Sequence, residues 1–323
     1  MADTLIARLG KDIVLYGALA ANVGIGIAKF IAASITGSSS MLSEGFHSCV
    51  DSLNQVLLLY GQHRAKRPPD AAHPFGYGRE LYFWAFVVAL LIFTVGAGVS
   101  IYEGVHHIRH PEPLKDPLVN YIVLGISLML EGSSWAIALR EVSRSKGELS
   151  WWQTVRQSKD PAGFIVLFED SAAIAGLLIA AAGVFASHAL NRPELDGYAS
   201  IAIGLLLSVV AVLLARESKG LLIGERADTA VIAEVYKLVD GHPAIASVNH
   251  VRTIHTAPES VFVAISADFH DEVTMGEGER LIEEIEGKLK AALPMLSSIY
   301  IRPEKREDAV LVVAPPPAEP APV

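Results

Sequence analysis

The sequence predicts a polytopic α-helical membrane protein with six transmembrane helices, followed by a C-terminal α/β domain of order α-β-β-α-β. Three observations carry that prediction. Apolar residues fall in long uncharged runs, such as Leu81 to Tyr102 and Tyr198 to Ala215, and a membrane-crossing helix needs about 20 such residues. Hydrophobic residues make up 51% of the 323-residue chain, and its mean hydropathy is +0.39. From about Ala227 the pattern changes to amphipathic and alternating segments too short to cross a bilayer.

The spans are read, in order, from Ile13 to Ser34, Met41 to Gly61, Tyr82 to His106, Leu118 to Leu139, Gly163 to Ala186 and Tyr198 to Ala215. Residues 1–12 form a cytosolic lead-in with Arg8 and Lys11 and no signal cleavage site. Residues 13–220 then make the membrane domain. The first two spans contain glycines and charges, so hydropathy marks them less firmly than the others. Thr36–Gly37–Ser38 is a tight hairpin between them.

Orientation follows from basic residues in the short loops. Arg64, Lys66, Arg67 and Arg79 lie between spans two and three, and Arg140, Arg144, Lys146, Arg156 and Lys159 between spans four and five. Arg216, Lys219 and Arg226 follow span six. The opposite loops hold only Arg109, Lys115 and Arg192. An even span count with both termini in the cytosol fits this bias.

Residues 221–303 read as the C-terminal domain. Thr229 to Val239 is helical, with Val231, Val235, Leu238 and Val239 on one stripe. Val248 to His255 and Val261 to Phe269 are strands around the turn Ala257–Pro258–Glu259–Ser260. Gly276 to Leu293 is a second helix and Ser298 to Arg302 a last strand. This order suggests two layers, helices on one side of a sheet. So small a core makes association with a second copy of the chain plausible. Residues 304–323 end in a proline-rich tail that need not fold.

Composition narrows the function. Net charge is −9 with no strong basic tract, which argues against nucleic acid as a partner. Cys49 is the only cysteine, so intrachain disulfides and thiolate clusters are excluded. No GxxxxGK[ST] sequence is present, and no paired nucleophile and base suggests an enzyme.

The chemistry concentrates in the spans. His47 and Asp51 are four residues apart in span two, on one helix face, and Asn54 lies about one turn further. Ionisable groups at membrane depth mark ion pathways or essential pairings. An imidazole with a carboxylate suits Zn²⁺ and its first-row neighbours, and the same lone pairs bind protons. Span five offers Asp170 as the preferred further ligand and Glu169 as the alternate. Adjacent helical residues diverge by about 100°, so both reach one ion only if the helix distorts or the ion sits between them. Glu131 in span four is a proton carrier, an anchor, a partner for a buried base or a ligand. Lys29 in span one snorkels or pairs with a carboxylate. In the loop after span two, Asp70 and His73 form a candidate second metal site, although a structural role for that loop is favoured. Gly76 and Gly78 flank Tyr77 there and permit a tight turn.

These residues resemble the cation diffusion facilitators, a family of divalent-metal transporters. The resemblance rests on His47 and Asp51 in span two, the HPFGYGRE run from His73 to Glu80, six spans and the α-β-β-α-β domain, and covers nearly all of Leu9 to Arg302. It implies a homodimeric, proton-coupled exporter with a ferredoxin-like cytosolic domain. It also implies that His47, Asp51 and Asp170 are transport ligands. Two departures stand out. Zinc members usually carry a histidine four residues before the span-five aspartate, where this chain has Val166, and the FEDSAA run instead resembles the branch of mitochondrial zinc transporter-like proteins. Tyr77 stands where the accessory site of some relatives has a third ligand.

The resulting expectation is Zn²⁺ export by proton antiport through alternating access. Protons are the coupling ion, the lipid bilayer is the setting, and the location is a bacterial inner membrane. Mn²⁺, Fe²⁺, Co²⁺ or Ni²⁺ export on the same scaffold, or a non-transporting metal sensor, is the alternative. His242, His250, His255, His270 and Asp271 are candidate sensory ligands in the cytosolic domain.

Overall fold

The computed structural model describes residues 19–20, 22–145 and 161–309. The lead-in, the first residues of span one, Lys146, Arg156, Lys159 and the tail from residue 310 lie outside them. The chain divides into two compact units, Met1–Arg64 with Glu80–Lys219, and Ala65–Arg79 with Gly220–Val323.

The first unit is a helical membrane domain. Its helices are α1 (Asn22–Thr36), α2 (Ser39–Ala65), α3 (Glu80–Arg109), α4 (Pro117–Ser145), α5 (Pro161–Leu190) and α6 (Glu194–Ile223). By length and composition, four of the described helices, α3 to α6, can cross a membrane. The other two fall short for different reasons. The described part of α1 is apolar but short. With 27 residues, α2 is about 40 Å long, ample for a span. However, its buried face is built from Ser39, Ser40, Ser43, Glu44, His47, Ser48 and Asn54, which lowers its hydropathy.

Small residues set how closely these helices approach, as is common where hydrocarbon surrounds the bundle. Ala85, Ala89, Ala97, Ala172, Ala180 and Ala211 belong to one core cluster with Met41, Val50, Leu58, Ile203 and Leu207. The crossing of α3 and α6 depends on Gly104 and Gly197. A β-carbon on Gly104 would stand 2.6 Å from the Gly197 carbonyl oxygen, and one on Gly197 would stand 2.9 Å from that of Gly104. A π-helical turn at Ile92–Ala97 widens α3 about two turns before this crossing. Outward, Leu118, Met129, Ile137, Leu178, Phe185, Leu205 and Val212 are exposed, an apolar coat suited to lipid.

The link between α1 and α2 is as tight as the sequence suggests. Gly37 takes a φ of 71°, open to glycine without strain, and its N–H closes the end of α1 on the Ala33 carbonyl at 2.8 Å. The start of α2 is capped from far along the chain. Asp196, fully buried in the first turn of α6, accepts from the N–H groups of Ser39 (2.5 Å) and Ser40 (3.2 Å). It also accepts from the hydroxyls of Ser38 and Ser40. A carboxylate there satisfies free backbone donors and meets the positive end of the α2 dipole.

The second unit is a mixed α/β region: α7 (Thr229–Asp240), β1 (Ile245–Ala257), β2 (Ser260–Phe269), α8 (Met275–Ala292) and β3 (Leu296–Pro303). The element order is the one read from sequence. The sheet among the described residues is open, in the order β1-β2-β3, with β1 and β2 antiparallel and β2 and β3 parallel. A parallel pair needs a crossover, which α8 supplies. Val235 and Val239 of α7 and Ile285 and Leu289 of α8 share a core with Val251, Val261, Val263, Ile265 and Ile299. Asp228 caps α7 through Ala230 N–H, and Thr274 with Glu277 forms a capping box at α8.

The loop after α2 belongs to this second unit. Phe75 meets Phe262 edge-on at 5.5 Å, and Arg79 donates to the His255 carbonyl at 3.4 Å. The glycines of HPFGYGRE have distinct tasks. Gly76 has a φ of 79°, while a β-carbon on Gly78 would lie 2.5 Å from the Thr256 carbonyl oxygen.

Candidate metal site in the helix bundle

The site begins with α2. Glu44, His47 and Asp51 recur at i, i+3 and i+7, so one stripe of the helix carries all three. His47 is 2% exposed and Asp51 19%. His47 Nδ1 lies 3.3 Å from Asp51 Oδ1, within ion-pair reach but not aligned as a hydrogen bond. Both imidazole nitrogens and Asp51 Oδ1 are buried without a hydrogen-bond partner among the described residues. Leaving such groups unpaired costs free energy, and donor atoms held in this way are prepared for a ligand.

Helix α5 sends its two acidic residues in different directions. Glu169 is buried, and Asn54 Nδ2 of α2 donates to its Oε1 at 2.7 Å. Asp170 is turned toward α4, where Ser134 Oγ donates to its Oδ2 at 3.0 Å. Each lies within electrostatic range of His47 and Asp51. The structure therefore ties Glu169 to α2 directly, whereas the hydrogen bond of Asp170 runs to α4. Among the described residues no three His, Cys, Asp or Glu side chains close to metal-ligand spacing in this conformation. Val166, at 40% exposure, offers no donor.

Glu131 of α4 has a definite partner, the buried base that was one of its sequence readings. Lys29 of α1 is fully buried, and its ammonium donates to Glu131 Oε1 (3.0 Å), Glu44 Oε2 (3.0 Å) and Ser48 Oγ (2.8 Å). Lys29 therefore pairs and does not snorkel. Glu44 is the residue that sequence reasoning missed, and its signal was the i, i+3, i+7 spacing with His47 and Asp51. Gly176 of α5 leaves room for it, since any side chain there would strike Glu44 Oε1.

Asp70 and His73 do come together, in the second unit. Asp70 Oδ1 accepts from the N–H groups of Ala72 (3.0 Å) and His73 (2.7 Å), and Oδ2 accepts from the Tyr77 hydroxyl (2.6 Å). Arg67 lies over the Tyr77 ring at 5.5 Å. The tyrosine at the departed position thus satisfies Asp70 and holds its carboxyl below the usual range, helped by the His73 N–H. With its pKa lowered on folding, Asp70 stabilises the turn above the ordinary carboxylate range, and that contribution is lost as pH falls through the depressed value. In a carbon-13 titration of labelled Asp70, Tyr77→Phe is expected to raise the midpoint toward the ordinary value. An unchanged midpoint would exclude the hydroxyl as the cause.

The histidines of the second unit are dispersed in role. His242 Nδ1 accepts from the Ala244 N–H, and its Nε2 lies 3.7 Å from Glu284. His255 is buried and contacts the Ala257 carbonyl, whereas Asp271 pairs with Lys305 at 3.4 Å. Burial holds the His250 imidazole below its ordinary value.

Comparison with known proteins decides the family. Residues 15–223 match the cation efflux transmembrane domain. The chain belongs to the cation efflux family. Among curated members, it is 35% identical over 248 residues to the mitochondrial proton-coupled zinc antiporter SLC30A9 of Xenopus laevis. It is 32% identical over 248 residues to the human protein of that name, and 32% over 242 residues to metal tolerance protein C4 of Arabidopsis thaliana. These alignments cover 76%, 76% and 74% of this chain, but 44%, 44% and 52% of the relatives. The chain thus spans about half the length of the cation efflux relatives it matches, within the zinc-transporter-like branch of the family.

Proposed function

We propose that this protein exports a divalent cation, Zn²⁺ in the first place, in exchange for protons. The observation that carries this reading is the His47–Asp51 pair on α2. His47 is buried, its two ring nitrogens and Asp51 Oδ1 lack hydrogen-bond partners among the described residues, and Glu169 of α5 meets the same helix through Asn54. The chemistry follows from the donor set. One imidazole with carboxylate oxygens replaces the water shell of a borderline first-row cation. Glu169, steadied by Asn54, supplies the donor that Val166 lacks, and Asp170 completes the set when the helices close around the ion.

Proton coupling needs no separate machinery. Metal and protons compete for the same lone pairs, so each proton that arrives weakens the hold on the metal. Alternating access then opens one site first to the cytosol and later to the far side. α1 and α2 act as the first two of six spans, and the second unit as a ferredoxin-like cytosolic domain in a homodimer. Residues 13–220 form the transport domain and 221–303 the cytosolic domain, with both termini cytosolic in a bacterial inner membrane. The names of the zinc antiporter relatives point the same way.

The test uses the purified full chain in vesicles carrying a pH-sensitive dye. An outward Zn²⁺ gradient is expected to drive proton movement in the opposite direction, and an imposed proton gradient to accumulate Zn²⁺ against its own. Competition by Mn²⁺, Fe²⁺, Co²⁺ and Ni²⁺ is expected to be weaker. Zinc binding without proton movement would support a sensor instead.

A further inference from the structure

The exchange reading gives Lys29 no task, yet all three of its ammonium donors are engaged. Its ammonium has three donors, and they end on three oxygens from two other helices: Glu44 Oε2 and Ser48 Oγ of α2, and Glu131 Oε1 of α4. Lys29 and Glu44 are 0% exposed. The two remaining carboxylate oxygens, Glu44 Oε1 and Glu131 Oε2, are buried without hydrogen-bond partners among the described residues. One carboxylate suffices to neutralise one ammonium, so this trio carries more acid than an ion pair needs. Two carboxylates and a hydroxyl around a single positive centre form the donor set that hard divalent cations take. Gly176 keeps the space beside Glu44 free of any side chain.

We propose that Glu44, Ser48 and Glu131 form a second divalent-cation pocket, that the Lys29 ammonium fills it as a tethered cation, and that Lys29 thereby holds the bundle to one metal ion per chain. The pocket begins one helical turn from His47, on the same face of α2. An ion lodged there would repel one at His47 and Asp51 and would outlast the transport cycle. A tethered ammonium supplies the neutralising charge and cannot leave with the substrate. This rests on the exchange reading only in taking His47 and Asp51 as the place of the first metal.

The experiment loads the full chain in lipid nanodiscs with Zn²⁺, equilibrates it with Mn²⁺, and counts both metals per chain by mass spectrometry. Wild type is expected to hold one Zn²⁺ and no Mn²⁺. Lys29→Gln is expected to gain one Mn²⁺ per chain. Lys29→Gln/Glu131→Gln, which leaves the summed charge of positions 29, 44 and 131 where it was, is expected to lose that Mn²⁺. A folded Lys29→Gln chain that takes up no Mn²⁺ overturns the proposal, as does a double variant that still binds it. If Lys29→Gln folds only when purified with Mn²⁺, the pocket is confirmed; if it folds under neither condition, the pocket does not accept a free cation and the proposal is overturned. Wild type without Zn²⁺ would count against the exchange reading alone, since the Mn²⁺ gain in Lys29→Gln is read separately.

Discussion

Asp51→Ala is expected to abolish zinc-driven proton movement in vesicles while leaving the fold intact. Asp51 makes no hydrogen bond among the described residues through Oδ1, and its contact with His47 Nδ1 at 3.3 Å is poorly aligned. Little packing or hydrogen bonding is lost with it, so thermal unfolding in detergent should change by only a few degrees. Transport is another matter. Groups that merely orient a metal ligand are each worth about 10–100-fold in affinity or activity. A carboxylate that touches the ion is worth at least as much, so exchange should fall on the order of 100-fold or more. Unchanged exchange in a folded variant would remove Asp51 from the site.

The opposite pattern is expected at Asp196. Its carboxylate ties the first turn of α6 to the first turn of α2, through the backbone of Ser39 and Ser40 and the hydroxyls of Ser38 and Ser40. In Asp196→Ala these donors lose their acceptor in a site with no access to water. Unsatisfied buried donors cost about 1–3 kcal/mol each, and a lost N-cap about 1 kcal/mol. Some donors will find other acceptors after relaxation, so the net loss should be on the order of 3 kcal/mol. Asp196→Asn should fall between, because its amide keeps one acceptor oxygen but turns an NH₂ toward groups that are themselves donors. Thermal unfolding of the purified variants checks the order wild type, Asn, Ala. Equal stability across the three would show that the α2 cap contributes nothing.

The contrast between these residues shows which features could be read in the sequence. The His47–Asp51 pair was legible because its signal is local: two ionisable residues at helical spacing inside an apolar run. Elements of the second unit were legible for the same reason, since the stripes of α7 and α8 and the alternation of β2 are local patterns. Asp196 was not legible as a cap for α2. Near a helix start, an acidic residue reads as serving its own helix, and its partners are more than 150 positions away. The roles of Glu131 and Lys29 stayed open for a related reason, being 102 positions apart. Glu44 had a local signal, but a glutamate near a span's start has a plain interfacial reading, and only the packing of α1 and α4 shows its burial. The span count is the instructive discrepancy. α2 fails a hydropathy criterion because its buried face is polar, and that polar face is the reason it carries the candidate site.

The most direct measurement is anomalous diffraction at the zinc edge from crystals of the full chain loaded with Zn²⁺. One peak per chain is predicted inside the bundle, about 2.0–2.2 Å from a His47 nitrogen and an Asp51 oxygen, with at least one further oxygen from Glu169 or Asp170. A peak with no contact to α2, or an α5 whose two carboxylates both face away from His47, would contradict the shared intramembrane site.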